Sequence, residues 1–412
     1  MDRQDFAGRS RSAHHVTGAR LAFAVLGYLV AVIAVITLLP FRFAVPDRFG
    51  IVMHGTLFDV AANVLLFLPP GFLYRLARPS TRDRAGLHVL VLGVAASLLI
   101  EAVQLFEPAR YASPLDVVAN GLGAWTGALL SDRVARRIRP DSVMVGRLSL
   151  EIPLMGLTYM LVPLLWLASL SAVDDAARLS LLLLPALFGA TIIAFVHRYR
   201  LGRPGRIRPH HAATGAALGM LAAIAPAAPR QPVVVLLLVV TVGLFVMIVS
   251  RIPAGDLDGD RRFERRALRA ALPFFVCYLV ALPWLSRVHA AGASPAAMIV
   301  DRLEILRLLE LLAAFTVLGW VIAEWRGRLD LPATAALPPV MIRTLPIAGL
   351  AMGLRFMGGP ATVLIAALGA AMIAASWGAG LYYLQRAHVR ALIDTTSSFA
   401  EPAVVRQRRP AA

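Results

Sequence analysis

Apolar stretches of about 20 residues alternate with short, arginine-rich connections along nearly the whole chain. A bilayer core about 30 Å thick needs roughly 20 mainly apolar residues of helix to cross it. By that measure the pattern predicts about twelve spans. They lie near 20–40, 57–77, 86–106, 115–134, 150–171, 180–197, 212–228, 231–250, 267–286, 303–325, 339–357 and 360–385. The expected fold class is all-α, a polytopic membrane helix bundle. The stretch 339–357 is interrupted by Arg343 and Arg355 and followed by Gly358-Gly359-Pro360, so it reads as amphipathic or partly re-entrant. Pro69-Pro70-Gly71 should kink or end the second span, because proline removes a ladder donor and clashes with the preceding turn. The first stretch is too long for a signal-peptide core and lacks a small-residue cleavage site, so it should be retained.

Composition agrees. At 58% hydrophobic, 16% charged and mean hydropathy +0.72, the chain is excluded from the soluble globular, disordered and disulfide-rich secreted classes. The formal charge of +17 suggests a nucleic-acid partner only until its placement is read. All 41 basic residues are arginine. Most fall on alternate connections, including Arg3–Arg20, Arg75–Arg84, Arg133–Arg147, Arg198–Arg208, Arg251–Arg269 and Arg386–Arg409. The other side receives Arg42, Arg48, Arg110, Arg178, Arg230, Arg287, Arg302 and Arg355. Basic residues of short loops stay cytoplasmic, so both termini are expected inside (N-in/C-in), in a bacterial inner membrane. Expected divisions are a cytoplasmic tail 1–19, a four-helix domain 20–135, a larger domain of about eight helices at 150–385, and a tail 386–412. The single Cys277 excludes an intrachain disulfide or cysteine metal site.

The second and fourth spans open alike, Thr56-x-x-Asp59-Val60-x-x-Asn63 and Ser113-x-x-Asp116-Val117-x-x-Asn120. Two tandem helix-hairpin repeats follow, in the same orientation and related by an axis along the membrane normal. Both Asp-Asn pairs then sit at the outer end, with each Asn on the same helix face about 6 Å deeper. As capping boxes, Thr56/Asp59 and Ser113/Asp116 need no further role, and Pro114 suits a first helical position. Capping does not explain Asn63 and Asn120, which need partners inside the apolar zone.

Glu101 and Gln104 close the third span. A carboxylate there opposes the helix dipole and costs several kcal/mol if it meets hydrocarbon. It calls for a proton or a cation, and Arg110 in the following outer loop is the nearest candidate. Two readings stay open: a structural Glu101–Arg110 lock, or a site where Arg110 holds an anionic group.

Together these pieces resemble the VanZ-like family. The matching run is Thr37-Leu38-Leu39-Pro40-Phe41, then Asp59-x3-Asn63-x3-Phe67-x-Pro69-x-Gly71, then Ser97-x3-Glu101-x2-Gln104, Arg110, and Asp116-x3-Asn120-x2-Gly123-x3-Gly127. The resemblance covers about residues 20–135 and implies a small four-helix membrane domain. That family takes its name from low-level teicoplanin resistance, and the resemblance implies a location and a motif more than a reaction. The further spans depart from the minimal family, so teicoplanin resistance is not expected of this chain itself.

Beyond residue 150 the signals are thinner. Asp256-Leu257-Asp258-Gly259-Asp260 has its glycine too early for a calcium-binding EF-hand loop and reads as a polar cytoplasmic turn. His14-His15 and His210-His211 read as solvated. Asp301, Glu304, Arg307 and Glu310 have the spacing for Glu304–Arg307 and Arg307–Glu310 pairs, as an interfacial turn or a second polar lining. Glu324 beside Trp320 and Trp325 reads as an interface anchor. Gly123-x3-Gly127, Gly215-x3-Gly219 and Gly349-x3-Gly353 would permit close helix packing.

No metal and no cofactor are expected. The expected partners are membrane lipids and a lipid-linked saccharide, not nucleic acid. The function expected is binding of, or action on, an amphiphilic cell-envelope molecule at the outer leaflet. Arg110 would hold its anion, Glu101, Asp59 or Asp116 would act as acid or base, and Asn63, Gln104 and Asn120 would orient polar groups. The rivals are a transporter or flippase, against which stand the few charges deep in the later spans, and a non-catalytic scaffold.

Overall fold

The computed structural model describes residues 3–38, 43–45, 50–53, 55–78, 85–108, 111–137, 153–201, 208–253, 262–285, 302–326, 333–357 and 361–405. Its helices are α1 (Arg3–Leu38), α2 (Leu57–Ala77), α3 (Ala85–Gln104), α4 (Pro114–Arg137), α5 (Pro153–Ser171), α6 (Ala176–Leu181) and α7 (Leu183–Val196). They continue with α8 (Pro209–Ala223), α9 (Pro232–Arg251), α10 (Arg262–Leu285), α11 (Arg302–Arg326), α12 (Ala333–Arg355) and α13 (Ala361–Val405). Each hydropathic stretch falls on a helix, α6 and α7 together forming one rod, Ala176–Tyr199. Among the described residues there is no strand, only an isolated parallel bridge between Ile51 and Ala112. The protein is an all-helical, multi-pass membrane protein.

Nine helices among the described residues are long and apolar enough to cross a membrane. The expected spans outside that set are α4, α5 and α8. Helix α8 has 15 residues, about 22 Å at 1.5 Å per residue, and a 3-10 turn at Ala225–Ala227 extends it. Helix α4 is diluted by Asp116, Asn120 and glycines, but it packs against both α2 and α3 and so needs less apolar surface than a lipid-facing helix.

Elements start where the chain supplies caps. Thr56 caps α2 with a complete box: its hydroxyl accepts from the Asp59 N–H at 3.2 Å, and the Asp59 carboxylate accepts from the Thr56 N–H at 2.9 Å. Asp175 caps α6 by accepting from the Arg178 N–H at 2.9 Å. Prolines open α8 and α9, where the missing N–H has no intrahelical partner to lose. In α9, Val235, Leu238, Val242 and Val246 are buried while Leu236, Leu237, Val240, Leu244 and Ile248 are exposed. A helix apolar on both faces suits lipid on the outside.

Pro69 and Pro70 do not end α2, which continues to Ala77. Membrane helices tolerate internal proline because neighbouring groups re-satisfy the freed backbone, and α4 lies along this segment. A side chain at Gly71 would overlap the Ala124 carbonyl, and side chains at Gly123 and Gly127 would overlap those of Val64 and Leu68. The α2–α4 seam is thus a backbone-to-backbone contact. A second seam, not foreseen, joins α11 to α13: Gly319 meets the Ala375 carbonyl and Gly378 the Thr316 carbonyl. Gly215, Gly219, Gly349 and Gly353 have no described atom within 4 Å of an added Cβ, so those two motifs are not used for packing here.

The largest core joins α5, α7 and α10–α13 with Leu21, Val25 and Ile36 of α1 and Leu73 of α2. The N-terminal bundle is therefore docked on the rest through α1, which lies against α13. A second core is shared by α5–α9, and a small one, Val89, Ala124 and Ala128, lies within the N-terminal bundle. Trp320 is 1% exposed and stacks edge-on with Tyr382 at 5.3 Å, while Glu324 faces the same tyrosine. Of the two tryptophans beside Glu324, Trp320 is therefore a core residue and Trp325 is exposed.

Candidate functional site

The end of α3 is tied to every neighbouring segment. Ser97, one turn before Glu101, is fully buried and its hydroxyl accepts from the Asn120 amide of α4 at 2.9 Å. The Glu101 carboxylate, 8% exposed, accepts from the Ser113 N–H at 2.7 Å, just ahead of α4. Gln104 donates its amide to the Thr37 carbonyl at the end of α1, also at 2.7 Å. The spacing Ser97, Glu101, Gln104 puts the three on one face, which is why one helix end reaches both α1 and α4.

Two loops cover this end. Ala44 N–H donates to the Phe106 carbonyl at 2.8 Å, Val52 N–H to Ala112 at 2.9 Å, and Ala112 N–H to Gly50 at 3.1 Å. Tyr111 packs on Gly50, where an added Cβ would lie 2.5 Å from its ring. Beside the cover, Phe43, Ala44, Val45, Val103 and Phe106 line a shallow apolar groove of about 300 Å³. Phe43, Val45 and Phe106 are exposed there.

Among the described residues, some buried acceptors of this cluster have no donor. Asn120 Oδ1 is buried without a hydrogen-bond partner among the described residues, and so are both carboxylate oxygens of Glu107, which is 1% exposed. Glu107 follows Gln104 by one turn and its N–H donates to the Gln104 carbonyl at 2.9 Å. Such groups stay buried only with a proton, a cation or a donor-bearing ligand. Sequence reasoning did not single out Glu107. The available signal was a second acidic residue between Phe106 and Pro108, inside an apolar turn three positions before Arg110.

The two repeats do not contribute equally. Asp59 is exposed and occupied by its own cap, and Asn63 is partly buried. In the second copy, Asp116 N–H donates to the Ser113 hydroxyl at 3.3 Å, while Ser113 N–H and Asn120 turn towards α3. The structure thus joins Glu101, Gln104 and Asn120 with Ser97, Ser113 and Thr37. Arg110, and with it the proposed partner of Glu101, lies outside the described residues.

A second polar cluster joins the C-terminal helices. Glu310 of α11, 1% exposed, accepts from Arg178 at 2.6 Å, Ser171 at 2.7 Å and Tyr278 at 2.7 Å. Glu304 accepts from Arg307 at 2.9 Å and Arg355 at 2.8 Å. The Glu304–Arg307 pair is as the spacing suggests, but Glu310 is taken by Arg178 from a different helix. Residues 254–261, with the aspartate-rich turn, and Asp301 lie outside the described residues.

The N-terminal helices and the hydrogen-bonded segments between them form one apolar bundle with a polar cluster at one end. Residues 11–135 match the VanZ/LLP1 family model, so this N-terminal bundle is a VanZ-like domain. No curated protein and no solved structure matches the chain.

Proposed function

We propose that this is a bacterial inner-membrane protein whose VanZ-like domain binds, or acts on, an amphiphilic cell-envelope molecule at the outer leaflet. The observation that carries the reading is the pair of buried acceptor groups, Asn120 Oδ1 and the Glu107 carboxylate, beside Glu101 and Gln104. Hydroxyl-rich head groups, as in a lipid-linked saccharide, supply donors for acceptors left without one among the described residues, and the adjoining apolar groove suits a chain. A phospholipid or lipoglycopeptide has the same two-part chemistry. In a catalytic version Glu101 is the acid or base, since the Asp59 carboxylate is engaged by its own helix start. Arg110 then holds the anionic part.

The twelve-crossing topology with both termini inside belongs to the same reading. Arg75–Asp132 at 2.7 Å and Arg198 to the Pro253 carbonyl at 2.8 Å join ends that arginine alternation puts inside. Arg178–Glu310, Arg230–Asp174 and Arg355–Glu304 join ends it puts outside. The test of function is a chromosomal Glu101→Gln strain with normal protein levels. Altered envelope lipids or saccharides are expected, and an unchanged profile sinks the proposal.

A transporter or flippase is the second reading, and one observation favours it. Glu310 lies about 12 Å along α11 from its first residue, so buried charge is less scarce in the later helices than the sequence suggests. Flux of a labelled lipid into proteoliposomes, absent from the first reading, separates the two.

A further inference from the structure

Among the described residues, helix α12 is packed on one side only. Val340, Thr344, Ala348, Ala351 and Arg355, three or four positions apart, form its buried side, and the helices it meets are α10, α11 and α13. The other side is open. Ile342 is 71% exposed and Leu350 65%, and an added Cβ at Gly349 or Gly353 meets no described atom within 4 Å. Lipid suits those residues, but it does not suit Arg343, which is exposed on the same side within the apolar span Leu337–Arg355. Arg343 stands near the middle of α12, between Ala333 and Arg355. At 1.5 Å per residue the two helix ends are about 15 and 18 Å away, farther than an arginine side chain snorkels. No hydrogen bond or ion pair joins it to another described residue. A cation at that depth is costly against hydrocarbon, and such residues pair with an opposite charge or line a watery cavity. The nearest acidic residues in the undescribed connections, Asp301 and Asp330, adjoin the starts of α11 and α12 in the chain, not the middle of α12.

We propose that the open side of α12 docks a transmembrane helix of another protein, one that carries an Asp or Glu at mid-depth to pair with Arg343. Charge complementarity selects this occupant: lipid tails and a purely apolar helix both leave the guanidinium unmatched. Close approach is open to it, because Gly349 and Gly353 put no side chain between the two backbones. A second copy of this chain is a poorer fit. A two-fold interface presents the same patch on both subunits, so Arg343 would face another Arg343. Among the described residues no carboxylate stands exposed in the middle of a span to meet it. The docking face belongs to the later helices and stands whether or not the VanZ-like cluster binds an envelope molecule.

The experiment is equilibrium binding of single-span peptides to the full-length protein in neutral-lipid nanodiscs, read by energy transfer between the two. The probes are leucine–alanine helices of about 20 residues with aspartate, asparagine or lysine at the central position. Saturable binding of the aspartate peptide is expected, about tenfold tighter than that of the asparagine peptide, as a close charge pair supplies. The lysine peptide should not bind. Arg343→Leu should erase the preference for aspartate over asparagine, and Arg343→Glu should transfer it to the lysine peptide, an inversion that a merely structural arginine does not produce. Equal binding of the three peptides by the wild type overturns the proposal, and so does an aspartate preference that survives Arg343→Leu. Self-association of the protein that depends on Arg343 makes a second copy the occupant, and displacement of the aspartate peptide by added phosphatidylglycerol makes it a lipid head group; either result overturns the proposal. An aspartate preference seen only in Asp330→Asn does so too, by making Asp330 the counter-ion. Should Arg343→Glu fold poorly, Arg343→Leu, which puts an apolar side chain on an open face, decides alone.

Discussion

The polar cluster of the VanZ-like domain and the Glu310 network of the later helices are both buried, but they are completed to different degrees. Glu310 has three donors for its two oxygens, drawn from α5, α6 and α10. In the VanZ-like domain, Asn120 gives its amide to Ser97, and among the described residues neither its oxygen nor the Glu107 carboxylate has a donor. A satisfied network specifies packing and resists change, whereas an unsatisfied one is open to a ligand or a proton. If the proposed function is right, the Glu310 network serves stability and the Glu101 cluster serves the chemistry, and substitutions should separate the two.

The largest effects should come from the seams that hold both clusters in place. Gly378→Leu would drive a side chain into the Thr316 carbonyl, and Gly127→Leu one into that of Leu68. Overpacking of this kind costs about 1–3 kcal/mol where side chains give way, and more where backbone must move. Loss of monodisperse protein on size exclusion is expected for both. Gly215→Leu, with no described atom within 4 Å of its added Cβ, should elute as wild type. If all three behave alike, the seams are not what orders the bundle.

Next comes Arg178→Leu, which leaves the Glu310 carboxylate buried without its cation. Breaking one side of a buried pair costs about 3–5 kcal/mol, while replacing both partners by apolar groups is often close to neutral. Thermal unfolding in detergent should show a large drop for Arg178→Leu and a substantial recovery in Arg178→Leu/Glu310→Leu. Equal loss in the single and double variants would mean that Tyr278 and Ser171, not the ion pair, carry the stability. Glu101→Gln is the counterpart in the other cluster. Glutamine keeps an acceptor for the Ser113 N–H, so stability should change by no more than about 1 kcal/mol, while the envelope profile changes. A stability loss as large as that of Arg178→Leu would place Glu101 with the structural groups.

Much of this contrast was legible in the sequence, and what was not has a physical cause. Hydropathy found the helices because a membrane helix must be apolar along its length. The repeat found both caps and the Asp-Asn positions because capping and facing are local, set by three- and four-residue spacings. Which neighbour each copy meets is not local: α3 lies against α4, so Asn120 finds Ser97 while Asn63 does not. Arg178 and Glu310 are separated by the whole of α7 to α10, and the spacing rule that paired Arg307 with Glu304 had no means of reaching across helices. The Gly319 and Gly378 seam escaped for the same reason, since its glycines stand alone on two different helices instead of four apart on one.

The smallest effect tests the two copies of the motif against each other. Asp59→Ala removes a carboxylate that accepts from both the Thr56 N–H and the Thr56 hydroxyl at an exposed helix start. A lost cap costs about 1 kcal/mol, so the unfolding midpoint should fall slightly and the envelope profile should not change. Asn120→Ala removes the amide donated to Ser97, a loss of similar size. It also deletes the unmet Oδ1, so the same slight fall in stability should come with a change in the envelope profile. The two variants are expected to cost similar energies, but only Asn120 faces α3. If Asp59→Ala alters the profile as strongly as Asn120→Ala does, both copies of the repeat belong to the site, and a carboxylate engaged at a helix start also serves function.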